Sequence, residues 1–289
     1  MEIYDKIVVY EQVITNSDGI CPNPHPKAVL NDNFNKCLNF FVIMKIIAIG
    51  GGEIGRPGYQ IETEEIDREI IRLTGKKHPK ALLLPTASGD SPLYWETFQK
   101  YYGQKLGCQT DVLYLFKGNF SSKEIREKIF GSDIVYVGGG NTLRMLKRWR
   151  KLGVDKILEE AEKKGVILSG LSAGAICWFK YGNSDSRAFG PTKLIKVRGL
   201  GFLPFMACPH YDVEKSRRPS LRRMIRKNGG IAIALEDCSA IEVVDDKYRI
   251  ITSSKNARAY RLYRHNGKVV EEELPNDKKF RPLEELFER

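Results

Sequence analysis

Ser172 lies at the centre of Gly170-Leu171-Ser172-Ala173-Gly174, directly after the apolar run Gly165-Val166-Ile167-Leu168 and before a stretch of helical character that opens near Ala173. A serine flanked by glycines at that spacing, on a strand-to-helix turn, has the form of a nucleophile elbow. The tight turn lifts the hydroxyl above the sheet, and only small residues fit two positions to either side. Without that context the same residues would read as a Ser-capped helix start. A serine hydroxyl attacks a carbonyl only when a base removes its proton, so a histidine must stand within hydrogen-bond reach.

Four histidines are available. His25 falls in an irregular leader, His78 in the charged connector Lys76-Lys77-His78-Pro79, and His265 directly before the turn Asn266-Gly267. His210 differs: Phe205-Met206-Ala207-Cys208 reads as a buried strand, and Pro209 fixes the exit that delivers His210 to the strand end. The third group should be a carboxylate that holds the imidazole tautomer. Asp185 lies in the polar segment Gly182-Asn183-Ser184-Asp185-Ser186, Asp212 and Glu214 follow the histidine closely, and Glu236 and Asp237 end the apolar run Ile231 to Leu235. Spacing alone leaves these open.

Acyl transfer also needs donors for a developing oxyanion. Gly138-Gly139-Gly140-Asn141 follows a strand ending at Val137, so its amides can point at negative charge, and the Ala173 amide beside the serine is the natural second donor. Glycine runs can also cradle phosphate, and Gly50-Gly51-Gly52 permits the same idea. Neither run matches the dinucleotide fingerprint or the P-loop pattern.

The elements that must carry these residues alternate along the chain. Apolar strand-like runs occur at 45–49, 81–84, 111–116, 133–137 and 165–168, with helical-period stretches at 64–73, 93–106, 122–129 and 142–163 between them. Continuous apolar strands alternating with helices predict an α/β three-layer sandwich, a mostly parallel central sheet flanked by helices. Function in such sheets sits at the carboxyl ends of the strands. Further short strands at 231–235, 240–244 and 248–251, and a hairpin of 260–263 and 268–270 about Asn266-Gly267, predict a closing antiparallel element. Residues 1–43, rich in Asn, Asp and Pro, read as an irregular extension, 44–270 as the catalytic domain and 271–289 as a charged, solvated tail.

The chain has 289 residues, 42% hydrophobic and 29% charged, with a net charge of +11. Its six cysteines form no C-x-x-C pair and no metal-ligand spacing, so neither a disulfide framework nor a zinc site is indicated, and reduced thiols are expected. No signal-peptide pattern opens the chain, and the longest apolar run, Leu38 to Ile49, is interrupted by Asn39 and Lys45. A cytoplasmic protein without membrane insertion is expected. The basic residues cluster at Arg144–Lys151 and Lys215–Lys227 on amphipathic helices, where charge marks a solvated face, so nucleic acid is not the expected partner.

Three ordered motifs carry a resemblance: Val137-Gly138-Gly139-Gly140-Asn141-Thr142, Gly170-Leu171-Ser172-Ala173-Gly174-Ala175, and Gly199-Leu200-Gly201-Phe202-Leu203-Pro204 leading to Pro209-His210. Over about residues 44–244 the chain resembles the peptidase E (aspartyl dipeptidase) and cyanophycinase family of serine peptidases, with a sheet related to class I glutamine amidotransferases. The resemblance implies Ser172 as nucleophile, His210 as base, an oxyanion hole from Gly139 or Gly140 with Ala173, and a carboxylate between Ser and His, which points to Asp185. It also implies a substrate with N-terminal Asp whose side chain meets an arginine soon after the histidine. Arg217 is the nearest match and Arg218 is adjacent; Asn141 joins them as a substrate-binding expectation. The implied enzyme hydrolyses short peptides, has no metal or organic cofactor, takes a small peptide as its partner and could be a homodimer. Another small acidic peptide, a β-aspartyl linkage or an ester is the alternative substrate, and a non-catalytic binding protein of the same fold the alternative class.

Overall fold

The computed structural model describes residues 44–186 and 194–288. The proposed 1–43 extension lies outside them. Eight strands form one sheet in the order β14-β11-β10-β1-β5-β4-β2-β3. Its centre comprises β1 (Lys45–Ile49), β5 (Ile167–Leu171), β4 (Ile134–Val137), β2 (Lys80–Leu84) and β3 (Gln109–Val112), all paired in parallel. On the other side of β1, antiparallel pairing adds β10 (Ser239–Val244), β11 (Lys247–Thr252) and the short β14 (Arg281–Pro282).

Continuous apolar strands bury both faces, and successive residues divide between them. Ile46, Leu82, Leu84, Val135, Val137 and Leu168 pack on one side with Ile125 and Ile129 of α3 (Ser122–Phe130), Met145, Leu146 and Trp149 of α4 (Thr142–Leu152), and Ile157 and Leu158 of α5 (Val154–Glu162). Ile47, Ile49, Ala81, Leu83, Ile134 and Tyr136 pack on the other side. They meet Ile66 and Ile70 of α1 (Glu64–Arg72) and Phe98 of α2 (Pro92–Phe98), which continues into a π-helical turn, Gln99–Lys105. The single helical stretch expected over 142–163 is two helices, because Gly153 at φ 72° ends one and starts the next.

A second sheet has six strands. Its order is β13-β12-β9-β8-β6-β7, with β6 (Phe179–Ser184), β8 (Leu203–Cys208) and β9 (Ile231–Leu235) parallel. β7 (Ile195–Arg198), β12 (Ala259–His265) and β13 (Lys268–Glu273) pair antiparallel at its edges. One face joins the main core through Phe205, Ala207, Ile233 and Leu235, and the other receives Leu221 and Ile225 of α7 (Arg217–Asn228). The hairpin forms where expected, with Asn266 and Gly267 both at positive φ as the tight two-residue turn requires. The segment read as a solvated tail is folded instead. β13 pairs with β12, β14 pairs with β11, and the last turn, Leu283–Phe287, buries Leu286 and sets Phe287 against Phe205.

Candidate active site

Ser172 follows β5 and precedes α6 (Ala173–Ile176) with φ 56° and ψ −105°, a conformation that L-residues avoid. Its amide donates to Ile49 O at 3.0 Å, and its carbonyl accepts from Ala175 and Ile176. The turn can be this tight because Gly174 lies against β4: a Cβ there would come within 2.1 Å of Val137 O. The hydroxyl is thereby presented at the carboxyl end of the parallel strands, where the sequence motif places it.

His210 leaves β8 through Pro209 and holds φ 140°. Its Nε2 is 2.6 Å from Ser172 Oγ, and its Nδ1 is 2.7 Å from Asp237 Oδ1. All three side chains are partly buried, which leaves them open to solvent on one side. With Nδ1–H donating to the carboxylate, Nε2 carries the lone pair and accepts the serine proton, the tautomer that general-base action requires.

The carboxylate on His210 is therefore Asp237, and the Asp185 expectation is corrected. Asp185 follows β6 in the second sheet and is exposed. Asp237 occupies the turn between β9 and β10, and antiparallel pairing of β10 with β1 carries that turn over the end of β1. Three bonds clamp it: Cys238 N to Gly51 O at 2.9 Å, Gly50 N to Ser239 O at 2.8 Å, and Asp237 N to Asp212 Oδ1 at 3.1 Å. Gly51 must lack a side chain, since a Cβ would meet Asp237 Oδ1 at 1.9 Å and His210 Nδ1 at 2.4 Å. The first triple glycine thus makes room for the His–Asp pair. Glu236, the neighbouring candidate, accepts from Arg258 N and Tyr260 Oη instead.

The sequence itself decides the lineage: residues 46–251 match the profile of Peptidase family S51. This chain belongs to peptidase family S51. It is 39% identical over 235 residues to the uncharacterized peptidase YgaJ of Bacillus subtilis (strain 168), covering 80% of this chain and 97% of that protein. It is 25% identical to Peptidase E of Nostoc sp. (strain PCC 7120) over 77% of this chain and 89% of that one. Among solved structures, a peptidase from an acI-B1 Actinobacterium superposes with a TM-score of 0.65 at 18% identity, covering 85% of this chain and 99% of its own, which shows a shared fold. The protein is a peptidase of the peptidase E fold.

Within this S51 peptidase, the second glycine run lies beside the serine. A Cβ on Gly139 would stand 3.6 Å from Ser172 Cβ, so the two backbones are neighbours. The Gly139 amide donates to Tyr94 Oη at 3.2 Å, and Gly140, at φ 135°, passes too close to Ala87 O for any side chain. Ala173 is the first residue of α6, so its N–H has no acceptor within the helix. Burial pushes the Tyr94 hydroxyl up to about 12, which keeps it protonated at neutral pH. Cys177, on the far side of α6, is buried with its thiol bonded to Gly174 O, and burial raises its pKa well above the ordinary thiol range.

The three residues expected to bind substrate are already engaged. Arg217 is 2% exposed; its Nε and Nη2 donate to Glu214 at 2.7 and 3.1 Å, and Nη1 donates to Asn183 O at 2.6 Å. Arg218 pairs with Glu271 at 3.0 Å and stacks over Tyr211. Asn141 caps α4, accepting from Arg144 N at 2.9 Å while its amide donates to Ser186 O at 3.1 Å. Among the described residues no group of three or more His, Cys, Asp or Glu is placed to hold a metal ion, and no helix is long and apolar enough to cross a membrane.

Proposed function

We propose that the protein is a serine-type peptidase of short peptides that works through an acyl-enzyme on Ser172. The observation that carries this reading is the continuous chain from Ser172 Oγ through both ring nitrogens of His210 to Asp237 Oδ1, with links of 2.6 and 2.7 Å. As Oγ attacks the scissile carbonyl carbon, its proton passes to Nε2 and the carbonyl oxygen gains negative charge. The Ala173 amide, supported by the Gly139 amide once it turns from Tyr94 to the substrate, meets that charge. Collapse of the tetrahedral species expels the amine, which takes the proton from Nε2 and leaves the acyl ester on Oγ. Water, deprotonated by the same nitrogen, then releases the acid.

A preference for Asp-X dipeptides would need an arginine able to meet the Asp side chain. Arg217 could do so only by giving up Glu214, and Arg218 only by giving up Glu271. These pairings favour short peptides as the substrate class over Asp-X peptides in particular. Hydrolysis of a dipeptide panel by the wild type and by Ser172→Ala tests the reading: turnover should fall at least about 10⁴-fold in the variant. A variant that still cuts at the wild-type rate would rule out the serine mechanism.

A further inference from the structure

Beside Ser172 opens a cavity of about 320 Å³, walled by Gly139 and Leu171 next to the nucleophile, Ile54 after β1, and Leu93 and Tyr94 on α2. That size is at the low end of ligand cavities, about 300–1,000 Å³, and suits one side chain rather than a long peptide. Most polar groups in its wall are spent on local bonds. Ser88 Oγ donates to Pro85 O, Thr97 Oγ1 donates to Leu93 O, both at 2.8 Å, and Arg56 pairs with Glu53 at 2.6 Å while stacking on Tyr59. What remains for a ligand is apolar surface, including a Leu93 that is 48% exposed. Two hydroxyls of the wall keep a proton to donate: Tyr94 Oη, which accepts from Gly139 N, and Ser91 Oγ, which accepts from Tyr94 N.

The catalytic geometry says which part of a substrate reaches this cavity. The leaving nitrogen must take its proton from His210 Nε2, so the leaving residue lies on the histidine side of Ser172. None of Ser172, His210 and Asp237 lines the cavity; Leu171, which precedes the serine, and Gly139, where a Cβ would stand 3.6 Å from Ser172 Cβ, do. The residue that becomes esterified to Ser172 therefore directs its side chain here.

We propose that this cavity is the subsite for the side chain of the acyl-donating residue, and that it selects an uncharged apolar side chain such as Leu or Phe over Asp. The proposal rests on the serine-peptidase reading. An Asp placed in the cavity would lose water and find the cation of the lining, Arg56, already paired with Glu53, whereas Leu or Phe would cover Leu93, Ile54 and Leu171 without leaving a charge unpaired.

Two measurements test it together: kcat/KM of the wild type for Leu-Ala, Phe-Ala and Asp-Ala, and the Kd of the same dipeptides for Ser172→Ala by calorimetry, which needs no turnover. Leu-Ala and Phe-Ala should have a kcat/KM about tenfold or more above that of Asp-Ala, and a Kd about tenfold or more below it. Leu93→Ala should narrow that ratio, and Leu93→Asp should abolish it. Equal or better binding of Asp-Ala overturns the subsite, as does a ratio that Leu93→Asp leaves unchanged, or no dipeptide binding at all. Failure of the underlying reading looks different: Ser172→Ala would still turn substrate over, whatever the ratio.

Discussion

Ser172 and His210 both occupy positive-φ conformations, at 56° and 140°. Such residues cost about 1–3 kcal/mol each and persist where their surroundings over-determine them. Here the bond from Ser172 N to Ile49 O and the Asp237 contact supply that constraint. Because Asp237 fixes which nitrogen of His210 carries the proton, Asp237→Asn should leave the fold intact and lower kcat by about 10⁴-fold. Asp185→Asn, at an exposed position, should stay within about twofold of wild type. Steady-state kinetics on the two variants separates the candidates; equal losses would contradict the assignment. The serine and the histidine were legible in the sequence because each follows an apolar strand and has a local marker, the glycines two residues to either side of Ser172 and the Pro209 before His210. Asp237 was visible only as one of several carboxylates at strand ends. Its selection depends on the pairing of β10 with β1, a long-range contact that local spacing does not encode.

At the scale of elements, β1, β2, β4 and β5 were readable because both their faces are buried and their sequences are largely apolar. β6 and β7 were not, since Lys180, Asn183, Ser184 and Lys196 give them the composition of a loop. Arg217 and Arg218 were readable as cations near the histidine, but not their ion pairs. A buried carboxylate joins two other elements: Asp67 of α1 accepts from Thr63 Oγ1 at 2.6 Å, from Tyr102 Oη at 2.5 Å and from Tyr101 Oη at 3.0 Å, tying α1 to the π-helical turn. Burial raises its pKa from 3.8 to about 6, against the opposing effect of those hydrogen bonds. Between those values the folded protein holds a proton that the unfolded chain has lost. The stabilisation is complete below pH 3.8 and fades as pH rises through about 6. Thermal melts of wild type and Asp67→Asn should therefore show the variant gaining relative stability, of order 3 kcal/mol, between about pH 4 and pH 7. A difference that does not change with pH would show that Asp67 keeps an ordinary pKa.

For the molecule as a whole, the net charge of +11 does not mean that every basic residue faces water unengaged. Arg148 donates to Leu115 O, Arg150 to the carbonyls of Arg198 and Gly199, and Arg222 pairs with Glu271, so much of both basic clusters ties α4 and α7 to their neighbours. The charged C-terminal segment behaves likewise: Arg261 of β12 donates to the carbonyls of Glu285 and Glu288. Composition alone reads such residues as solvated because it records charge and not its partners. The two sheets together bring three separate stretches of chain to one point, Ser172 after β5, His210 after β8 and Asp237 after β9, and the claim that this point is a hydrolytic centre is open to direct chemical test. The protein would be treated with a fluorophosphonate and the adduct located by peptide mass spectrometry, alongside His210→Ala. One adduct on Ser172, formed far more slowly in the variant, is the predicted result; no adduct, or a Ser172 adduct whose rate ignores His210, would contradict it.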